Sequence, residues 1–187
     1  MVNPRILVAG IGNIFFGDDA FGVEVVQRLA RRQLPDDVRI VDFGIRGFDL
    51  AFALMEPYEV VILVDAVPRG GIPGTLYTIE PDLDALETSE PAELEAHGMN
   101  PMKVLSFVKA MGGESIRILL VGCEPSPIAP DEERMGLSEP VAKSVDEAVA
   151  IVETLIRKLQ GEQHERCVES GADRGGSRGG SFSPARH

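Results

Sequence analysis

The sequence predicts an α/β fold: a three-layer sandwich built on a mostly parallel, five-stranded twisted sheet with helices on both faces. Three observations predict it. Apolar runs of strand length alternate with longer stretches of helical periodicity up to about residue 160, the order expected of a parallel sheet with crossover helices. The strongest run, Val60-Val61-Ile62-Leu63-Val64, shows no polar alternation, as a strand covered on both faces requires. Prolines and glycine clusters fall at the segment ends, where chain breaks belong.

Each element has its own reason. "RILVA" (Arg5–Ala9) reads as a buried strand that runs into the glycine turn "GIGN". Ala20–Leu34 carries Phe21, Val25, Val26 and Leu29 at helical spacing, and Pro35 supplies a stop. "VRIVDFG" (Val38–Gly44) is the second strand, and "GFDLAFALM" (Gly47–Met55) a short helix ended by Pro57. Glu59–Val67 is the most apolar strand, followed by a Pro/Gly-rich turn. "GTLYTIE" (Gly74–Glu80) is a further strand, with an antiparallel edge position open to it. The acidic stretch from Pro81 to Ala96 reads as a loop with room for a short helix. Asn100 as N-cap and Pro101 at the first helical position open the next helix. Ser115–Pro125 forms the last strand. A long amphipathic helix follows, capped by Ser138 with Pro140 in its first turn.

A chain of 187 residues can bury a substantial core as one domain, here residues 1–160. Residues 161–187 differ in kind: six glycines, four serines and almost no apolar periodicity predict a disordered tail. The tail's four acids balance its four arginines, so the formal net charge of −12 sits on the preceding domain. That sign argues against nucleic acid as the partner, because phosphate neutralisation needs clustered Lys and Arg. The apolar runs are too short to span a bilayer, and "MVNPRILVAGIGN" lacks the features of a signal peptide. Cys123 and Cys167 stand far apart and form no CxxC pair, so neither a disulfide framework nor a zinc knuckle is on offer. A cytoplasmic monomer with no membrane partner is expected.

Chemistry is expected at the carboxyl ends of the strands, where open α/β sheets place their ligands. Three polar positions fall there: the pair Asp18-Asp19 beyond the first strand, Asp65 at the end of the central one, and His97 ahead of the helix at Pro101. One acid of the pair can cap the following helix, and Asp18 is assigned that structural role. Asp65 closes a buried strand, a costly place for a carboxylate unless it is paired or ligated. His97 is the one histidine of residues 1–160, since His164 and His187 lie in the tail. Two carboxylates and an imidazole form a ligand set suited to a divalent cation, with positions left open for water or substrate. The glycine turn is not a dinucleotide fingerprint, because Phe15 stands where the third glycine belongs, and no Gly-Lys-Ser/Thr follows for a phosphate loop. Gly10 and Gly12 permit a tight turn, Gly17 a positive φ, and Asn13 can hydrogen-bond its own backbone. Cys123 has no second histidine in the domain to activate it and reads as a small core residue.

"RILVAGIGNIFFGDDAFG", "VILVDA" and "HGMNPMKVL", in this order and spacing, resemble the [NiFe]-hydrogenase maturation peptidases over most of residues 4–160. The resemblance implies a nickel-dependent endopeptidase that removes a C-terminal extension from the precursor of a hydrogenase large subunit after nickel insertion. It further implies that Asp19, Asp65 and His97 contact the metal and carry the catalysis, with the nickel arriving on the precursor. Asp42 and the "GIRG" loop (Gly44–Gly47) match a family segment near the cleft and are expected to contact substrate or support the ligands. Two other readings use the same residues: a nickel-checking chaperone that binds the precursor without cutting it, and a small-molecule metallohydrolase.

Overall fold

The computed structural model describes residues 5–82, 101–110, 116–127 and 135–172. Among these residues five strands form one sheet: β1 (Ile6–Ile11), β2 (Val38–Gly44), β3 (Val60–Ala66), β4 (Leu76–Ile79) and β5 (Arg117–Cys123). Their order is β2-β1-β3-β5-β4. The first four strands across that sheet are parallel, and β4 lies antiparallel on β5 at the edge. In the parallel ladder Val8 stands beside Ile40 and Ile62, and Ile62 beside Leu119. Among the described residues four α-helices accompany the sheet: α1 (Phe21–Leu29), α2 (Gly47–Leu54), α3 (Pro101–Ala110) and α4 (Glu139–Ala172). The α/β sandwich with a mostly parallel sheet is therefore the architecture of the chain.

The two faces of the sheet are separated by strand alternation. Leu7, Ala9, Ile11, Val61, Leu63, Ile118 and Leu120 form one core with Leu50, Leu54, Val104 and Val108 of α2 and α3. The opposite face meets α1, whose Val26 comes so near Gly10 that an added Cβ there would lie 2.3 Å from it. Close approach of helix to strand is the reason for glycine at that position. Cys123, at the end of β5 on this same face, lies fully buried with its Sγ 3.3 Å from Ser144 Oγ of α4.

The chain divides into two compact units, residues 1–153 and 154–187. The sheet and α1–α3 belong to the first, and α4 starts in it. Within the second, regular helix runs on to Ala172, past Gly161, where the composition predicts that order ends. Extending an existing helix needs no new nucleus, and Glu-Gln-His-Glu-Arg contains residues that sustain one.

α1 ends at Leu29, short of the stop that Pro35 suggests. Ala30 still bonds to Val26, whereas Arg31 and Arg32 bond to Arg28 and Leu29 in tighter turns. The residues that would supply the next turn, Ala30 to Gln33, are exposed, so no apolar face holds it. The Asn100 cap and the acidic stretch beyond Asp82 lie outside the described residues.

Candidate active site

The chain leaves β1 for β2 by way of α1, while β3 flanks β1 on its other side. The carboxyl ends of β1 and β3 thus form the switch point of the sheet, where open α/β folds have their crevice. Asp18 and Asp19 sit there in a short 3-10 turn (Gly17–Ala20), and Asp65 is the penultimate residue of β3. Backbone geometry explains the glycines around them. Gly12 has φ +131° and lies so close to Asp19 that a Cβ would stand 1.7 Å from the Asp19 carbonyl oxygen. Gly17 has φ +53°, which turns the chain into the acids.

The adjacent acids have opposite surroundings. Asp18 is 3% exposed and its carboxylate is filled by donors. Oδ1 accepts from the Ser138 N–H (2.6 Å), and Oδ2 from the Ser126 N–H (2.8 Å) and the Ser138 hydroxyl (2.8 Å). Asp18 therefore has a structural task, but not the expected one: among the described residues no side chain caps the 3-10 turn or α1. It ties the turn to the β5–α4 connection instead. Ser138 is likewise corrected. Its carbonyl accepts the Ala142 N–H as an N-cap should, while its hydroxyl serves Asp18 and meets Ser126 Oγ at 2.8 Å.

Asp19 is half-buried and accepts the Asn13 N–H at 2.7 Å. Asn13 in turn accepts the Phe15 N–H through its Oδ1, the local loop-fixing bond its residue type predicts. Burial raises the Asp19 pKa, and the Asn13 amide opposes it. Asp65 is 5% exposed and accepts the Ala66 N–H at 2.8 Å. Its pKa is pushed well above the ordinary range by burial first and by the negative charge of Asp19 second. A buried carboxylate whose charge is disfavoured by an acidic neighbour is one that a cation relieves. The donor chemistry of Asp19 and Asp65 fits a hard or borderline metal. His97, the third expected ligand, lies outside the described residues. Among the described residues no three His, Cys, Asp or Glu side chains group as a metal site.

Beside Asn13 opens a cleft of about 490 Å³, lined by the β1–α1 loop and by the end of β2 with the loop after it. Asp42 lies on its wall, as do Ile14, Phe15 and Ile45, each more than half exposed. The Arg46 guanidinium is spent on the carbonyls of Asp42 and Phe43 and on Asp49, so it braces the "GIRG" turn. The Cys123 thiol is pushed up by burial, which makes it inert.

One carboxylate at this edge escaped the sequence reading. Glu124, 4% exposed, accepts the Arg69 N–H through both oxygens, the Gly70 N–H through Oε1 and the Tyr77 hydroxyl through Oε2. Burial acts to raise its pKa, but the Tyr77 hydroxyl and the amides of Arg69, Gly71 and Gly70 together hold it below the usual carboxylate value. No spacing rule signals such a contact, since its donors lie across a strand connection.

Comparison with known proteins gives the arrangement its family. The family model described as hydrogenase maturation protease matches residues 23–155. The hydrogenase 2 maturation protease of Escherichia coli strain K12 is 31% identical over 156 residues, covering 82% of this chain and 92% of that protein. Among solved structures, the hydrogenase maturating endopeptidase HybD from E. coli superposes with a TM-score of 0.65 at 30% identity, covering 82% of this chain and 93% of that one. A hydrogenase 2 maturation peptidase from a Thaumarchaeota archaeon gives 0.61 at 36% identity, with 81% and 97% covered. The α/β sheet is the frame of the solved maturation peptidases it superposes on. The chain belongs to the hydrogenase maturation protease family.

Proposed function

We propose that the chain is an endopeptidase that removes the C-terminal extension of a [NiFe]-hydrogenase large-subunit precursor, and that it reads the nickel carried by that precursor through Asp19, Asp65 and His97. The observation that carries the proposal is the carboxylate pair itself. Asp65 is pushed toward its neutral form first by burial and second by the charge of Asp19, so the pair lacks one positive charge for two ionised acids. A nickel ion presented by the precursor supplies that charge, whereas a precursor without nickel leaves the pair without it. The metal check follows from this difference.

The cleft lined by Ile14, Phe15, Asp42 and Ile45 accommodates an extended segment of the precursor, its apolar walls giving area and Asp42 a polar anchor. Nickel at the scissile bond polarises the carbonyl or activates water. One carboxylate of the pair, Asp19 or Asp65, accepts the proton of the attacking water. Asp18 and Glu124, whose lone pairs are occupied by protein donors, hold the frame.

The test is incubation of purified precursor, loaded with nickel or nickel-free, with the protein, followed by intact-mass measurement. Loss of the extension from the loaded precursor alone supports the proposal. Binding without cutting would favour the chaperone reading, and cutting of both forms would remove the metal check.

A further inference from the structure

The two buried carboxylates that the chemistry leaves unused are joined by a single short segment. Glu124 directly follows β5, and Ser126 comes two residues later. The Glu124 side chain gathers the Arg69 and Gly70 amides and the Tyr77 hydroxyl, from the connection that leaves Asp65 and from β4. Its backbone pairs with the same connection, its N–H donating to the Thr75 carbonyl and its carbonyl accepting the Gly74 N–H. The Ser126 N–H, with both hydrogen-bonding groups of Ser138, is given to Asp18, the immediate neighbour of Asp19. One end of the segment is therefore fastened to the connection that follows Asp65, and the other to Asp18, the neighbour of Asp19.

Space is tight within both tethered loops. A Cβ on Gly71 would lie 2.3 Å from the Tyr77 hydroxyl, and one on Gly12 would overlap the Asp19 carbonyl. Between its tethers Glu124-Pro125-Ser126 contains a proline, whose fixed φ removes one of the few torsions that could absorb movement.

We propose that Glu124-Pro125-Ser126 is a positioning strap that sets the placement of Asp19 relative to Asp65, with Asp18 and Glu124 as its positioning residues. The proposal rests on the reading of Asp19 and Asp65 as the reactive pair. The strap stiffens the pair so that a nickel-bearing substrate finds both carboxylates already in place, the preorganisation that a site of this kind needs. It also couples the two loops: loosening one tether loosens the loop at the other end.

The test uses the full chain with Glu124→Gln, which leaves a single acceptor oxygen for the donors there, and Ser138→Ala, which removes one donor from Asp18. Amide hydrogen exchange is followed residue by residue below the unfolding temperature. The strap predicts crossed effects. Ser138→Ala should speed exchange at Arg69 and Gly70 about tenfold, and Glu124→Gln should do the same at Asn13 and Asp19, the change expected for one lost hydrogen bond's worth of local stability. With nickel-loaded precursor, each variant should lose about tenfold in kcat at unchanged KM. The double variant should lose less than the product of the single losses. Exchange changes confined to the mutated end, or kcat losses that multiply, would overturn the strap. If Glu124→Gln does not fold, Tyr77→Phe removes one donor from Glu124 and takes its place. A wild-type protein that cuts no precursor would refute the activity and leave the crossed exchange to decide the strap.

Discussion

Asp18→Asn and Asp19→Asn change one atom each at neighbouring positions, yet the structure predicts opposite consequences. The Asp18 carboxylate takes three donors. The single amide oxygen of Asn can keep at most two, and its NH₂ then faces a buried N–H or hydroxyl. One orphaned donor costs about 1–3 kcal/mol, and each remaining bond falls from a charge-assisted contribution of about 1.5–3 to about 0.5–1.5 kcal/mol. The carboxylate lies at the first residues of α4, where losing negative charge costs a further ~0.5 kcal/mol. Relief of carboxylate desolvation offsets part of this. The net expectation is a loss of about 3 kcal/mol, or a fall in unfolding temperature of about 6–12 °C for a chain of this size. Asp19→Asn keeps the one bond from Asn13 and removes a charge that burial disfavours, so its stability should stay within about 1 kcal/mol of the parent. Its peptidase activity, by contrast, should vanish. Urea unfolding followed by circular dichroism, beside the cleavage assay, reads both. A loss below about 1 kcal/mol in Asp18→Asn would show that its donors find other partners, and would refute the assignment of Asp18 as a structural hub.

Three further outcomes follow from the same geometry. Asp65→Asn should stabilise the fold at neutral pH while abolishing cleavage. The folded-state pKa of Asp65 is raised above 3.8, so the native state binds the proton more tightly than the unfolded one, and ionisation costs stability as pH rises through that window. The advantage of the Asn variant should therefore shrink toward zero as pH is lowered to 3.8, and a gain independent of pH would contradict the cause. Gly22→Ala should cost about 3 kcal/mol or more, because its Cβ would lie 2.1 Å from the Val64 carbonyl and 2.3 Å from that of Ile11; near-parental thermal unfolding would show that α1 can lift off the strand ends. Phe15→Ser, at a side chain 62% exposed on the cleft wall, should raise KM for precursor several-fold with unchanged unfolding temperature, and an unchanged KM would place the substrate elsewhere.

Much of the fold was legible because its signals are local. β2 occupies Val38–Gly44, as its apolar run and flanking turns require, and β4 takes the antiparallel edge position that its short, mixed sequence left open. The loop glycines and the Asn13 turn were legible for the same reason. The end of α1 was not, because Pro35 marks the last place a helix can stop, while burial decides where it does. The roles of Asp18, Ser138 and Glu124 were hidden for a different reason. Their partners lie across the sheet in other connections, and a carboxylate next to a helix start reads as a cap until its true donors are seen. Asp65 could be flagged as costly from its apolar run alone, but the effect of Asp19 on it depends on β1 and β3 being neighbours, which only the topology establishes.

The most direct test of the central claim compares parental protein with Asp19→Asn, Asp65→Asn and His97→Ala on nickel-loaded precursor, with intact mass as the readout and unfolding temperature as the control for folding. The account predicts complete removal of the extension by the parent and none by the three folded variants. Full cleavage by any one of them would remove that residue from the reading of the nickel-bearing precursor.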